Sequence, residues 1–443
     1  MHSSAMSTTD HSDALAHGGE GAAAARANGH VCIFVLLLFI AAAAFSAIRK
    51  DVTRGFDELA HASYVAHLQS TDETWPAFKD MRMLDATSFR FTGEANYLNH
   101  PSPYYLLLAH LGPALEGHPE AIVIHRLFNV ALVAIGFAAF MAIGLLAGLP
   151  RLSLYAYIVP LACIPVLVPL AGAINNDNLA FCGGGIAALA AWRLMATGSR
   201  TALLAALGGV VIASWAKMTA LLLVGGLVGG VIVWLIWRGR FQARWIAPIV
   251  VAALVAGAPY VALTVQYGSP APSTPGQTAM LKAGAQAAGW DIAARMPPAA
   301  YAAHFVSEFV SEWMPALEPR KALNYAALAI PVVAILCAFA GFVVSIKRIA
   351  RGNEGPIDVV VVASALAFTL TFVIHGVFSY PYHLTFGWMT SAYPRYYLPL
   401  AAFVPLAGLS SLAAIKQSSA RAILIGFLIA GPVVFRLLGA PFG

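Results

Sequence analysis

Apolar runs of about twenty residues recur along this chain, and no other feature limits its fold as strongly. Wound as an α-helix at about 1.5 Å per residue, such a run matches the roughly 30 Å hydrocarbon core of a bilayer. Eleven segments qualify: 31–48, 121–148, 153–173, 179–196, 201–216, 219–237, 245–266, 322–346, 356–376, 396–414 and 421–437. The expected fold is all-α, a polytopic transmembrane helix bundle with about eleven crossings. Segment 201–216 is the shortest and reads either as a full crossing or as a tilted helix inside the bundle. Of the 443 residues, 60% are hydrophobic and 10% charged. A soluble domain carries about a quarter charged residues, so this chain lacks the polar surface to cover itself in water.

The first 30 residues, rich in Ala, Gly, His and Ser, read as a disordered cytoplasmic tail ahead of a membrane domain over 31–443. No convincing small-residue cleavage site follows the first apolar run, so it reads as a span and not as a signal peptide. The formal charge of +6 does not point to nucleic acid, because the basic residues sit at the ends of apolar segments and form no stripe with aromatics. Cys32, Cys163, Cys182 and Cys337 lie in apolar runs without a CxxC pair, as small buried hydrophobes do.

Basic residues in the short connections set an expected orientation. With the N-terminus in the cytoplasm, the inside turns hold Arg151; Arg193 and Arg200; Arg238, Arg240 and Arg244; Lys347, Arg348 and Arg351; Lys416 and Arg421. Two long loops, 49–120 and 267–321, then face outward, as expected where chemistry takes place at a membrane surface. No GxGxxG, P-loop, HExxH or GxSxG motif falls on a suitable element.

The unusual polar residues gather in these outer segments. Asp57, His61, Tyr64 and Leu68 share one face at helical spacing. A carboxylate one turn before an imidazole suits general base work or a divalent cation such as Mg or Mn, with Asp57, Glu58 and His61 as ligands. An amphipathic interfacial helix capped by Asp57 accounts for the same spacing. His100 lies in His100-Pro101-Ser102-Pro103-Tyr104-Tyr105, where it is either a phosphate donor or a polar loop residue near headgroups. Asn175-Asn176-Asp177-Asn178 forms a polar knot that reads as a helix N-cap or as hydroxyl and phosphate recognition. Lys217 at the outer end of two apolar helices either snorkels to water or pairs with an anion. Arg395, in Tyr393-Pro394-Arg395-Tyr396-Tyr397, offers a planar fork for phosphate, whether of a substrate or of membrane lipid.

The order Asp57-Glu58…His61…Tyr64, then His100 to Tyr105, Asn176-Asp177, Lys217-Met218-Thr219 and Arg395 to Pro399 resembles the GT-C superfamily of polytopic glycosyltransferases. Within it, the likeness is to bacterial relatives of protein mannosyltransferases and of aminoarabinose transferase, and it covers about 31 to 400. Each motif is short, so the specificity lies in their order and topological side. The resemblance implies transfer of a sugar from a polyprenyl-phosphate-linked donor on the extracytoplasmic face of a bacterial inner membrane, with inversion. It implies Asp57, with Glu58 as neighbouring candidate, as catalytic base. Substrate contacts fall to His61, His100, Tyr104, Asn176, Asp177, Lys217, Arg395 and Tyr396. The family's His-Pro-Pro-Leu-Tyr-Tyr reads His-Pro-Ser-Pro-Tyr-Tyr here. With no large soluble C-terminal domain following, the expected acceptor is an envelope glycan or glycolipid.

The long loop 267–321 fits the same scheme. Pro270–Gly276 reads as a mobile stretch, and Pro298–Trp313, with Tyr301, Phe305 and Phe309 at helical spacing, as a surface-lying amphipathic helix placed to lid a site. A transporter or flippase is the rival. It predicts charges at mid-span and an internal repeat, and neither is present, His375 and Arg436 being the nearest exceptions. A shared site requires Asp57, Lys217 and Arg395 to converge within roughly 10–15 Å.

Overall fold

The computed structural model describes residues 9–71, 73–287, 295–312, 322–386 and 393–438. Among them are sixteen α-helices: α1 (Thr9–Arg49), α2 (Glu58–Ser70), α3 (Pro103–Leu111), α4 (Ile122–Leu146), α5 (Arg151–Ala162), α6 (Leu167–Ala171), α7 (Asp177–Thr197), α8 (Arg200–Ser214), α9 (Met218–Trp237), α10 (Ile246–Tyr267), α11 (Pro275–Ala287), α12 (Pro298–Glu312), α13 (Ala322–Ala350), α14 (Pro356–Phe386), α15 (Phe403–Ala414) and α16 (Ser418–Leu438). The one sheet among the described residues is an antiparallel pair, β1 (Arg82–Leu84) and β2 (Phe91–Ala95). Beyond this short hairpin the regular structure of the described residues is helical, as the all-α expectation requires. Asp85 makes the hairpin's turn by accepting from the Thr87 and Ser88 amides at 3.1 and 2.8 Å.

All eleven apolar segments are helical, but they are not eleven equal crossings. Among the described residues, eight helices are long and apolar enough to span a bilayer: Ala27–Arg49, Pro119–Leu146, Asp177–Thr197, Met218–Trp237, Ala243–Tyr267, Ile330–Ala350, Pro356–Phe386 and Ser418–Arg436. Residues 394–400 form a 3-10 helix that meets α15 at a 60° bend, a geometry of either a broken ninth span or a re-entrant loop. The expected crossing at 153–173 divides into α5 and α6, since Pro160, Pro165 and Pro169 interrupt its hydrogen-bond ladder. Helix α8 has 15 residues, about 22 Å of helix, short of a full hydrocarbon core. Helix α1 starts at Thr9, so residues 9–30 continue the first span as helix, as the Ala-rich stretch before it favours.

Small residues let the inner helices meet closely. A Cβ on Gly185 of α7 would strike the Gly136 backbone of α4, and one on Gly184 would strike the Pro399 backbone. The second contact seats the 3-10 segment, with Arg395 at its start, against α7.

The loop segments are built in, not loose. Helix α2 is buried on nearly every face, which overturns the interfacial-helix reading of that stretch. Asn96 Nδ2 donates to Ala60 O at 2.9 Å, and Ser63 Oγ accepts from the Leu84 amide at 2.8 Å, tying the hairpin to α2. Pro270–Gly276, expected to be mobile, is a strap. Thr274 is buried, Asn99 Nδ2 donates to Pro272 O at 2.9 Å, and Tyr382 Oη donates to Ala271 O at 3.4 Å. Helix α12 presents Tyr301, Phe305 and Phe309 to Phe368, Phe372 and Tyr380 of α14, as its spacing predicts. Trp313 lies outside the described residues.

Candidate active site

The turn after α1 sets the site. Gly55, Phe56 and Asp57 have consecutive positive φ values of 78°, 64° and 57°. The left-handed conformation costs a residue with a Cβ roughly 1–2 kcal/mol, so Phe56 and Asp57 must be held there. Asn175 Nδ2 donates to Phe56 O at 2.8 Å, and Lys50 Nζ sits 4.7 Å from the centre of the Phe56 ring. This reversal sends two adjacent carboxylates in different directions.

Glu58 turns inward, its side chain 0% exposed. Arg126 of α4 grips it with both prongs, Nε to Oε1 at 2.7 Å and Nη2 to Oε2 at 2.9 Å. Lys50 Nζ donates to Oε2 at 3.2 Å and the Ile174 amide to Oε1 at 2.9 Å. Arg126 Nη1 also donates to Ala47 O and Lys50 O, at 3.0 and 2.8 Å, which closes the end of α1.

Asp57 turns outward, its side chain 43% exposed. Arg395 Nη2 donates to its Oδ2 at 2.9 Å and Tyr97 Oη to its Oδ1 at 3.1 Å. Arg395 Nε lies 3.5 Å from Asp177 Oδ2, and Asp177 Oδ1 pairs with Lys217 Nζ. Asp57, Arg395, Asp177 and Lys217 thus form one unbroken chain of alternating charge, and the convergence required of a shared site is met. Aromatic rings wall it. Lys217 Nζ stands 3.7 Å from the Tyr396 ring centre, and Arg395 Cζ lies 5.0 Å from Tyr393, 5.5 Å from Tyr396 and 5.6 Å from Phe56. Burial brings the Lys217 ammonium down to about 8, with Asp177 opposing the shift. Lys217 ends the break between α8 and α9, which Asn176 holds by donating from Nδ2 to Ala216 O at 2.9 Å.

The remaining expected site residues lie behind this front. His61 does not face Asp57. Its Nε2 accepts from Asn175 Nδ2 at 3.2 Å, so Nδ1 carries the proton and donates to Tyr105 Oη at 2.9 Å. His100 stacks on it with ring centres 6.1 Å apart. Burial holds both imidazoles well below the usual histidine range, and the cations Arg395 and Lys217 lower both further. Tyr104 is fully buried and donates to Asn129 Oδ1 at 2.7 Å. Asn176 and Tyr104 therefore support the site from within. The N-cap reading of the polar knot shifts by one residue, since Asn175 Oδ1 accepts from the Asp177 amide at 2.8 Å while Asn176 makes no side-chain cap.

Asp57, Glu58 and His61, expected as a cation site, do not fit one, because their ligating atoms turn to Arg395 and Tyr97, to Arg126 and Lys50, and to Tyr105 and Asn175 respectively. Among the described residues, no group of three or more His, Cys, Asp or Glu side chains is gathered as metal ligands are. A cavity of about 440 Å³ opens beside Asp57.

Three contributors escaped the sequence reading, Arg126, Tyr97 and Phe56, while Asn175 was read as part of the polar knot. A signal existed for Arg126, a lone arginine inside the second apolar segment. Nothing local marks Tyr97 or Phe56.

No protein-family model matches the chain, and no curated protein matches it in sequence. Among solved structures it is similar to the crystal structure of ArnT from Cupriavidus metallidurans in the apo state, with TM-score 0.49 and 14% identity over 90% of this chain and 63% of that one. The same protein bound to undecaprenyl phosphate gives TM-score 0.46 and 13% identity over 87% of this chain and 62% of that one. The chain spans less than two thirds of the length of that protein.

Proposed function

We propose that the chain is a membrane glycosyltransferase. It moves a sugar from a polyprenyl-phosphate-linked donor to a hydroxyl of an envelope glycan or glycolipid, at the extracytoplasmic face. One observation carries this reading. Two acids and two cations from four separate segments converge beside an open cavity, with only the acid Asp57 substantially exposed to water.

The chemistry follows from the charges. Asp57 takes the proton of the acceptor hydroxyl as its oxygen bonds to the anomeric carbon. The bond from that carbon to the phosphate oxygen breaks, and its electron pair leaves with the lipid phosphate. Direct displacement inverts the anomeric centre. Arg395 and Lys217 receive the growing negative charge, in a setting where burial and aromatic walls strengthen the attraction. Both cations have carboxylate partners, so the set is neutral. An arriving phosphate competes for the guanidinium fork, and Asp57 is released from Arg395 as it does so.

Glu58 is not a second base in this scheme, because Arg126, Lys50 and the Ile174 amide fill its carboxylate. It positions Asp57 by anchoring the first turn of α2. The test is Asp57→Asn in purified protein supplied with a polyprenyl-phosphate sugar and an acceptor. Transfer is expected to fall about 10²–10⁴-fold. Full retained transfer removes Asp57 from the base role, and transport without transfer in the parent protein favours a carrier.

A further inference from the structure

We infer that the cavity beside Asp57 is a saccharide subsite, the place where the acceptor presents a hydroxylated ring from the aqueous side. This rests on the transferase reading for the word acceptor, but not for the word saccharide.

The cavity holds about 440 Å³, within the range of roughly 300–1,000 Å³ that suits small-molecule sites. Thr53, Phe56, Asp57, Met83, Tyr97 and Tyr393 line it, and none of the six falls in a membrane span. Three aromatic rings thus come from three separate segments, the turn after α1, the stretch after β2 and the entry to the 3-10 helix. A pyranose ring carries C–H groups on its faces and hydroxyls around its edge. Aromatic rings match the first, and carboxylate and phenol oxygens match the second. Here the edge partners are the Asp57 carboxylate and the Tyr97 hydroxyl, already 3.1 Å apart. A hydroxyl seated on this rim meets the proposed base directly.

The second cavity, about 330 Å³ between α12 and α14, shows the opposite chemistry. Phe305, Val306, Phe372, Gly376 and Val377 line it beside the rings of Tyr301 and Tyr380, so its wall is predominantly hydrocarbon and holds no carboxylate. The two cavities lie at opposite ends of one series of contacts. It runs from Asp57 through Arg395, Asp177 and Lys217 to Tyr396, then by His375, 5.9 Å from Tyr396, to Phe305, 5.5 Å further. The charged centre thus separates a wet, ring-lined pocket from a dry one.

The test is a binding measurement that needs no turnover. A panel of methyl glycosides is titrated against the purified protein by saturation-transfer NMR, in the parent and three variants. Thr53→Trp fills the pocket from an exposed position. Tyr393→Ala removes one ring, and Gly376→Leu crowds the other cavity, where a Cβ already meets Phe305 at 3.4 Å. The expected result is glycoside binding in the parent, loss in Thr53→Trp, about tenfold weakening in Tyr393→Ala, and no change in Gly376→Leu. Absence of glycoside binding in the parent overturns the inference. So does binding that survives Thr53→Trp and is lost in Gly376→Leu. Glycoside binding with the expected variant pattern, but no sugar transfer from a polyprenyl-phosphate donor, supports the saccharide site and removes the transferase reading instead.

Discussion

Asp57 and Glu58 are neighbours in the chain and belong to different regions of the molecule. The region around Glu58 is dry, and every acceptor position on its carboxylate is taken. The region around Asp57 is open, with a carboxylate 43% exposed and a cation, Arg395, that is itself shared between two acids. A buried charge set with full partners has one stable arrangement, since removing a partner leaves an uncompensated charge. A half-open set can exchange partners. The contrast separates a group that holds structure from one that is available for chemistry.

The comparison breaks most visibly at the two carboxylates. Asp57→Asn is expected to lower transfer about 10²–10⁴-fold while leaving thermal stability near the parent value. Glu58→Gln is expected to do the reverse in kind, with a loss of about 3–5 kcal/mol of stability because Arg126 and Lys50 keep charges in a dry site. Denaturation of both variants in the same detergent decides it, and equal stability of the two would erase the distinction.

The cations give the next largest effect. Lys217 titrates at about 8, below its unfolded value, so the ammonium is present below that pH and lost above it. If Lys217 contacts the donor phosphate, kcat/KM for the donor should fall as pH rises past about 8, and Lys217→Arg should move that limb upward. A flat profile between pH 7 and 9 would remove Lys217 from phosphate binding.

A smaller effect concerns the histidines behind the site. His61 and His100 are held well below their unfolded values. The unfolded chain therefore binds more protons once pH drops below about 6.5, and stability should decline with acid in that window. The thermal midpoint is expected to fall between pH 7 and 5, and less steeply in His61→Gln. The smallest expected effect is that of Asn175→Ala, about 1–3 kcal/mol of stability. Its signature is a loosened Asp57 turn, read as a fall in kcat without a change in donor KM.

Much of this was legible in the residues. A helix at each apolar run follows from the run itself, and the helical spacing of Tyr301, Phe305 and Phe309 gave the buried face of α12. Lys217, Arg395 and Asp177 stood out because charges next to apolar spans are rare and need partners. The proline breaks within 153–173 were also written in the chain, although the length of the run obscured them. The strap at Pro270–Gly276 was not legible, because its order comes from Asn99 and Tyr382 on other elements.

What the sequence by itself determined is the set of apolar helices and the short list of polar residues that a membrane protein keeps for a reason. Only the tertiary structure decided which of two adjacent acids faces water. That choice rests on three left-handed residues and on partners far along the chain, Arg126 at 68 residues from Glu58 and Arg395 at 338 residues from Asp57. Periodicity reports only on neighbours within a turn or two. A charge pair closed across the whole bundle leaves no local trace, and its energy appears only once both ends have been taken out of water.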